Sequence, residues 1–403
     1  MKILIFHDVY EHVGGAETYV HEIAESLMGK AEVYTFYQSF NEEINSMNNI
    51  VYRNSNGPKI KKYFSYHVFD FKFYNLFKKV LKKINPDIIH INHNNLHYFP
   101  VLSAIKSYSA VQTIHDYGIL CPNTWAIDKG GKICMKGMSL KCVFSGCIPW
   151  WSFVYMLQMK MKVNLMKKRI KMIIAPSQGL KNALLKNGFK NVNVLNYFID
   201  MKKWKKIDKK SIFSKKKKAL LYVGGLSRQK GVHVLLKAFK KLSDSDDNLI
   251  LKIVGKGDYE DELKKIIEQN GLSKKVTFYG HLRGNELRKL YQEAYLLVVP
   301  SIWVEQFGIV GLEAMACSTP VVGSRIGGIP EWLREKENGL LAEPGNSEDL
   351  YEKIFYLLKN PRIALKYGLN GRKIVENEFT KEKHINCLMD IYRQILDKNE
   401  KGN

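Results

Sequence analysis

Short apolar runs of three to six residues, separated by stretches whose apolar residues recur at helical spacing, limit most strongly what this chain can become. Ile3–Phe6, Glu32–Phe36, Asp87–His90, Val111–Ile114, Met172–Ala175 and Val192–Leu195 form a first set. Ala219–Val223, Leu249–Val254, Val276–Tyr279, Leu296–Val299 and Pro320–Val322 form a second. Strands covered by helices on both faces read as near-continuous Ile/Val/Leu runs, and parallel strands need long crossovers to join them. Within the second set, Leu235, Leu236, Phe239 and Leu242 keep a helical period, as do Leu263, Ile266 and Ile267. The pattern predicts α/β architecture with two doubly wound, Rossmann-like domains. A chain of 403 residues is long enough for two such cores. The expected boundaries are 1–198 for the first domain, a Lys-rich linker over 199–218, and a second domain over 219–380. An amphipathic helix in 381–403 is expected to pack back towards the first domain. Ligands of open parallel sheets bind at the carboxyl ends of the strands, so chemistry is expected in the loops there, in a cleft between the domains.

Charge narrows the partners. Lys and Arg number 63 against 39 Asp and Glu, a net charge of +24. Such an excess calls for an anionic partner: phosphate, nucleic acid or a membrane surface. Segments 59–83, 150–172 and 202–218 hold nearly all of it. No helix-turn-helix, zinc-finger or RNA-binding signature accompanies these lysines, so nucleic acid is not expected. The apolar run after Lys2 stops at His7-Asp8, too short for a signal peptide, and no window offers the ~18 uncharged apolar residues of a spanning helix. The expectation is a cytoplasmic protein, at most peripheral on the inner face of a membrane.

Two glycine loops follow strands. Gly14-Gly15-Ala16-Glu17 comes after the first, ahead of a helix marked by Val20, Ile23, Ala24 and Leu27. Gly224-Gly225-Leu226-Ser227-Arg228-Gln229-Lys230-Gly231 comes after the first strand of the second half. Glycines at a helix start let backbone amides approach an anion where the helix dipole favours negative charge. The second loop adds Arg228, able to hold two phosphate oxygens, and Lys230, a point charge. Neither loop is G-x-G-x-x-G or a Walker loop, so neither a nicotinamide dinucleotide nor P-loop chemistry is indicated.

Pro300-Ser-Ile-Trp-Val-Glu305-Gln-Phe307-Gly308-Ile-Val-Gly311-Leu-Glu313-Ala-Met-Ala316 is the most informative stretch. Eight residues of helix span ~12 Å, whereas a hydrolytic carboxylate pair stands roughly 5–9.5 Å apart. Glu305 and Glu313 therefore suit two parts of one extended ligand. Amides near Phe307 and Gly308 can receive a phosphate, and Glu313 can accept hydrogen bonds from a sugar hydroxyl.

With its Pro-Ser lead-in and trailing Glu-Ala-Met-Ala-Cys-Ser-Thr-Pro-Val-Val, this stretch resembles glycosyltransferase family four. Gly14-Gly15-Ala-Glu17, Lys230-Gly231, Val254-Gly255-Lys-Gly257-Asp258, Phe278-Tyr-Gly280 and Gly327-Gly328-Ile-Pro-Glu331 match further family positions in order. The resemblance implies a GT-B fold and a retaining enzyme that uses a nucleotide-diphospho-sugar. It implies that Arg228 and Lys230 neutralise the diphosphate and that Gly14 and Gly15 bring amides to it. Glu313 would bind the ribose, Glu305 with Phe307 and Gly308 the donor sugar, and the loop containing Leu282 would lie against the base. His115, after the strand Val111–Ile114, would sit beside the donor sugar, and with Glu305 it is the expected catalytic pair. Gly225 departs from the family, standing where an arginine is usual; Arg228 is the expected substitute. No Asp-x-Asp motif stands out, so no active-site metal and no cofactor beyond the donor is expected.

Further features stand outside this pattern. His90, His93 and His97 have metal-like spacing, yet they follow a buried strand and no carboxylate joins them. Cys121, Cys134, Cys142 and Cys147 cluster in one insertion, where four thiolates can bind a structural zinc; free thiols are the alternative in a reducing compartment. Segment 150–172 sets aromatics and methionines beside lysines, and segment 59–83 interleaves Tyr63, Phe64, Phe69, Phe71, Phe73 and Phe77 with lysines. Both suggest an anionic membrane surface and a lipid-linked or other glycan acceptor, as in cell-surface polysaccharide or glycolipid synthesis. A sugar-nucleotide epimerase of the same fold and a non-catalytic sugar-nucleotide-binding regulator are the alternative functions.

Overall fold

The computed structural model describes residues 1–7, 15–39, 45–46, 49–53, 69–93, 97–121, 125–130, 132–205 and 209–400. It divides into two compact units, Met1–Leu195 with Ile385–Asn403, and Asn196–His384. Gly14, Tyr63 and Phe64 lie outside the described residues.

The strands of the first unit are β1 (Lys2–His7), β2 (Glu32–Ser39), β3 (Asn45–Ser46), β4 (Asn49–Arg53), β5 (Ile88–His93), β6 (Ala110–Thr113), β7 (Met172–Ala175) and β8 (Val192–Val194). They lie in the order β3-β4-β2-β1-β5-β6-β7-β8. Every pairing is parallel except β3 with β4. Because β2 and β5 flank β1 on opposite sides, the strand order reverses there, which is where doubly wound sheets bind ligands.

The helix Phe71–Ile84 begins at Asp70, whose carboxylate accepts from the Phe73 amide, and ends at Asn85 in the left-handed conformation. It buries Phe73, Phe77, Leu81 and Ile84, and Phe77 packs edge-on against both Phe6 and Phe36. Two of the aromatics in the segment expected to face a membrane therefore belong to the core, while the lysines of that helix face solvent. Phe71 remains exposed.

A polar chain runs through this core. The Tyr392 hydroxyl, from the C-terminal helix Lys381–Glu400, lies 2.7 Å from His90 Nδ1, and His90 Nε2 lies 2.8 Å from Thr113 Oγ1. Buried imidazoles need such partners, so His90 is occupied as a structural residue.

The second unit contains β9 (Lys218–Val223), β10 (Leu249–Val254), β11 (Val276–Phe278), β12 (Leu296–Val299), β13 (Val321–Ser324) and β14 (Gly339–Ala342). Their order is β11-β10-β9-β12-β13-β14, all parallel. The order reverses at β9, placing the glycine loop after it at a second switch point. Helices bury one core on each face of this sheet, one built around Phe239, Tyr295 and Leu357, the other around Trp332, Met315 and Tyr291.

The segment expected to be a linker is part of this unit. Ile199 bridges to Thr380, and Asp200 pairs with Lys381 at 2.7 Å. Lys209 is fully buried and its ammonium donates to the carbonyls of Tyr291, Gln292 and Ala294 at 3.0, 2.7 and 3.0 Å. A lysine run reads as a solvated spacer because composition does not reveal which lysine caps a helix end.

His384 supplies a pH dependence. Its ring lies tilted against Phe198 at 4.6 Å between centres, its Nδ1 faces the Asn196 carbonyl at 2.8 Å, and burial pushes its pKa from 6.5 down to about 4. The unfolded chain therefore takes up the proton first. The second unit should keep this component of stability above pH ~6.5 and lose it as pH falls toward 4, by about 3 kcal/mol when complete. Urea unfolding at several pH values should show a shallower acid loss in His384→Gln than in the parent; identical pH slopes would contradict the assignment.

Candidate functional site

The loops after β9, β10 and β11 are tied by backbone hydrogen bonds. The Gly224 amide donates to Val254, the Leu226 amide to Lys256 and the Gly255 amide to Gly280, at 3.0, 3.0 and 2.7 Å. Tyr222 adds its hydroxyl to the Gly225 carbonyl at 2.8 Å. Burial, then the charge of Glu305, pushes that phenol up, so it stays a donor. The loop is thus tied to its neighbours at several points before any ligand arrives.

Its two cations differ. Arg228 is exposed at the start of the short 3-10 turn Arg228–Lys230. Lys230 is half-buried and pairs with Glu305 Oε1 at 2.6 Å, its ammonium 5.0 Å from the centre of the Trp303 ring. Ser301 donates to the other carboxylate oxygen at 3.1 Å. His233, in the first turn of the helix Val232–Ser245, registers the positive field here: burial first, then Arg228 and Lys237, hold its pKa below the ordinary value.

Glycines fix the backbone around this pair. Gly231 has φ +74°, and a Cβ on it would stand 1.9 Å from the Pro300 carbonyl oxygen. The approach brings the β9 loop against the β12 loop, and the Ile302 amide donates to the Gln229 carbonyl at 2.9 Å. Gly327, at φ +59°, leaves no room for a Cβ beside the Glu305 backbone, and the Gly328 amide donates to the Glu305 carbonyl at 2.8 Å. Phe307 is buried and its carbonyl accepts from Trp332 Nε1 at 2.6 Å. Gly308 caps the helix Ile309–Ala316 in the left-handed conformation. Glu313 lies half-buried on that helix, its Oε2 accepting from the Tyr291 hydroxyl at 2.7 Å.

The structure therefore brings Lys230, Glu305, Phe307 and Gly308 into one cluster, with Glu313 on the helix that the cluster opens. Leu282 is half-buried against the core after β11. In the first unit, His115 follows β6, with its ring centre 5.4 Å from that of Tyr19 in an edge contact. Tyr19 comes from the helix Gly15–Leu27, whose first residue, Gly15, is exposed. Sequence reasoning did not find Ser301, Tyr291 or Trp332. A serine four residues before a glutamate carries no signal until the loop folds back.

The four cysteines of the insertion line one small cavity with Leu120, Ile127 and Gly137. Among the described residues no three Cys, His, Asp or Glu side chains are grouped so as to hold a metal ion. The four thiols, readable from the sequence as a zinc set or as free thiols, share a cavity without being grouped as metal ligands.

Gly231→Ala should force the β9 and β12 loops apart and break the Lys230–Glu305 register. We expect the second unit to lose about 1–3 kcal/mol, read as a lower denaturant midpoint. An unchanged midpoint would show that the close approach is not required.

Comparison with known proteins follows this division of the chain. The Glycosyltransferase Family 4 model matches residues 13–203, and the model for glycosyl transferases group 1 matches residues 203–374. An uncharacterized glycosyltransferase of Methanocaldococcus jannaschii is 38% identical over 180 residues, 45% of this chain and 46% of that protein. The chain thus spans about half the length of the first curated relatives it matches. Sucrose-phosphate synthase from Thermosynechococcus elongatus has the same fold at TM-score 0.75 and 22% identity, over 98% of this chain and 99% of its own. Anabaena HepE, solved with UDP-glucose, superposes at TM-score 0.71 and 21% identity over 100% of both chains. A doubly wound sheet in each unit and two matched models that together span 13–374 mark this chain as a member of the family 4, group 1 glycosyltransferases of GT-B fold.

Proposed function

We propose that this protein moves a sugar from a nucleoside-diphospho-sugar to a hydroxyl of a glycan or lipid-linked acceptor, with retention at the anomeric carbon. The observation that carries the proposal is the Lys230–Glu305 pair, set where the β9 loop meets the start of the helix bearing Glu313. In the reaction the bond from C1 to the diphosphate oxygen breaks and a bond from the acceptor oxygen to C1 forms. The acceptor proton leaves with the nucleoside diphosphate. Arg228 and Lys230 would meet the charge that develops on the leaving group, and Lys230, held by Glu305, would need little reorganisation to do so. Two cations at the leaving group would make a divalent metal unnecessary, and activity should survive chelation. Glu305 would hold donor-sugar hydroxyls, Glu313 the ribose and Leu282 the edge of the base. His115 is assigned to the donor sugar by family resemblance.

Lys230→Ala tests this reading. It removes a charge-assisted contact worth about 1.5–3 kcal/mol and leaves Glu305 without its counter-ion, so donor affinity should fall by at least about tenfold. Calorimetry with UDP-, GDP- and ADP-sugars measures it, with UDP-glucose first because HepE was solved with that donor. Unchanged affinity in Lys230→Ala would contradict the assignment, and donor epimerised in the absence of acceptor would replace transfer by epimerisation.

The acceptor side of the proposal rests on the first unit. The helix Phe153–Arg169 buries Met156, Lys162 and Met166 and leaves Phe153, Val154, Leu157 and Met161 exposed, as are Phe144 and Trp150 nearby in sequence. No acidic residue occurs between Asp128 and Asp200. Exposed apolar side chains in a stretch that is basic throughout suit the interface of an anionic bilayer, where each lysine near the surface adds about 1 kcal/mol. Among the described residues no helix is long and apolar enough to cross a membrane. The protein should co-sediment with anionic vesicles at low salt, and Phe144→Ser with Leu157→Ser should weaken this severalfold. Failure of the parent protein to bind such vesicles would favour a water-soluble acceptor.

A further inference from the structure

Glu313 does not stand alone on its helix. Tyr291, fully buried, ends its reach at Glu313: its hydroxyl donates to Oε2 at 2.7 Å, and burial together with the neighbouring carboxylate pushes the phenol far up, so the proton stays on the tyrosine. A neutral donor of this kind fixes one carboxylate oxygen and with it the plane of the group. The backbone of Tyr291 is held equally firmly. Its carbonyl accepts from Lys209 Nζ at 3.0 Å and from Thr319 Oγ1 at 2.7 Å. Lys209 also binds the carbonyls of Gln292 and Ala294, capping the helix Gly284–Glu293 that carries Tyr291. Trp204 packs edge-on against the tyrosine ring at 5.9 Å.

A carboxylate that accepts from two vicinal hydroxyls must keep its plane and position. On a half-buried helix face with several rotamers, an unrestrained glutamate would lose that geometry and the affinity that goes with it. We propose that Tyr291 is a positioning residue for Glu313, setting the carboxylate for ribose recognition, and that Lys209 and Thr319 set Tyr291. The inference rests on the assignment of Glu313 to the ribose made above. On this reading the buried lysine of segment 199–218 anchors the element from which the donor site is aligned.

The test uses nucleotide selectivity, which a loss of packing alone would not alter. The nucleoside diphosphate among UDP, GDP and ADP that binds most tightly is titrated calorimetrically beside its 2′-deoxy form, into the 403-residue parent, Tyr291→Phe, Glu313→Gln, the two combined, and Lys209→Met. The parent should prefer the ribonucleotide by about tenfold or more. Tyr291→Phe should lose most of that preference through weaker ribonucleotide binding, with deoxynucleotide affinity held within about twofold. The double variant should lose no more than Glu313→Gln alone, the mark of residues acting through one contact. Lys209→Met, checked for folding by circular dichroism, should lose preference in the same direction. If parent and Glu313→Gln both bind ribo and deoxy forms equally, or no diphosphate binds, the ribose assignment fails and the proposal with it. If the parent discriminates and Tyr291→Phe does so equally, or weakens both forms alike, Glu313 keeps its role and the positioning role of Tyr291 is overturned.

Discussion

A carboxylate withdrawn from water must find a cation and hydrogen-bond donors close by, and the second unit is arranged around that requirement at Glu305. The carboxylate is nine-tenths buried and has Lys230 on one oxygen and Ser301 on the other. Removing one partner of such a pair is far more costly than the pair is stabilising. Three chain segments must therefore arrive together: the loop after β9, the loop after β12, and the glycines after β13 that leave room for the Glu305 backbone. The parallel sheet makes that possible, because its strands all deliver their loops to one edge.

The pair also restrains Lys230 without a ligand. Lys230 is held at one end by Glu305 and lies over the Trp303 ring, so its ammonium keeps a fixed position and little side-chain freedom remains to be lost. A diphosphate meeting that ammonium and the exposed Arg228 would complete a charge arrangement already built. Glu313 is prepared in the same manner, through a buried tyrosine and beneath it a buried lysine. Tyr291, Lys209 and Thr319 thus form a supporting layer beneath the proposed ribose site, as the Tyr222 hydroxyl supports the glycine loop.

Much of this was legible in the residues, for physical reasons. Continuous Ile/Val runs identify doubly covered strands irrespective of what they later contact, so the strands of the two sheets other than β3, β4 and β14 could be read along the chain. The glycine loops and the Glu305–Glu313 spacing were visible because steric demands and helix geometry are local. The supporting layer was not, because Lys209 lies 82 residues from Tyr291 and nothing in a lysine run marks the member that will be buried. For the same reason 199–218 read as a spacer while Ile199, Asp200, Trp204 and Lys209 are buried in the second unit. Phe73 and Phe77 misled in the opposite direction: interleaving with lysine is shared by membrane-facing helices and by ordinary amphipathic ones, and only the partners Phe6 and Phe36 decide between them.

The central claim is that the Lys230–Glu305 cluster and Glu313 form one donor site. A crystal structure with the preferred nucleoside diphosphate bound tests it most directly. The account predicts the diphosphate against Lys230 and Arg228, with the ribose hydroxyls within hydrogen-bonding distance of Glu313. A nucleotide bound with its ribose turned away from Glu313, or seated at another edge of the sheet, would contradict it.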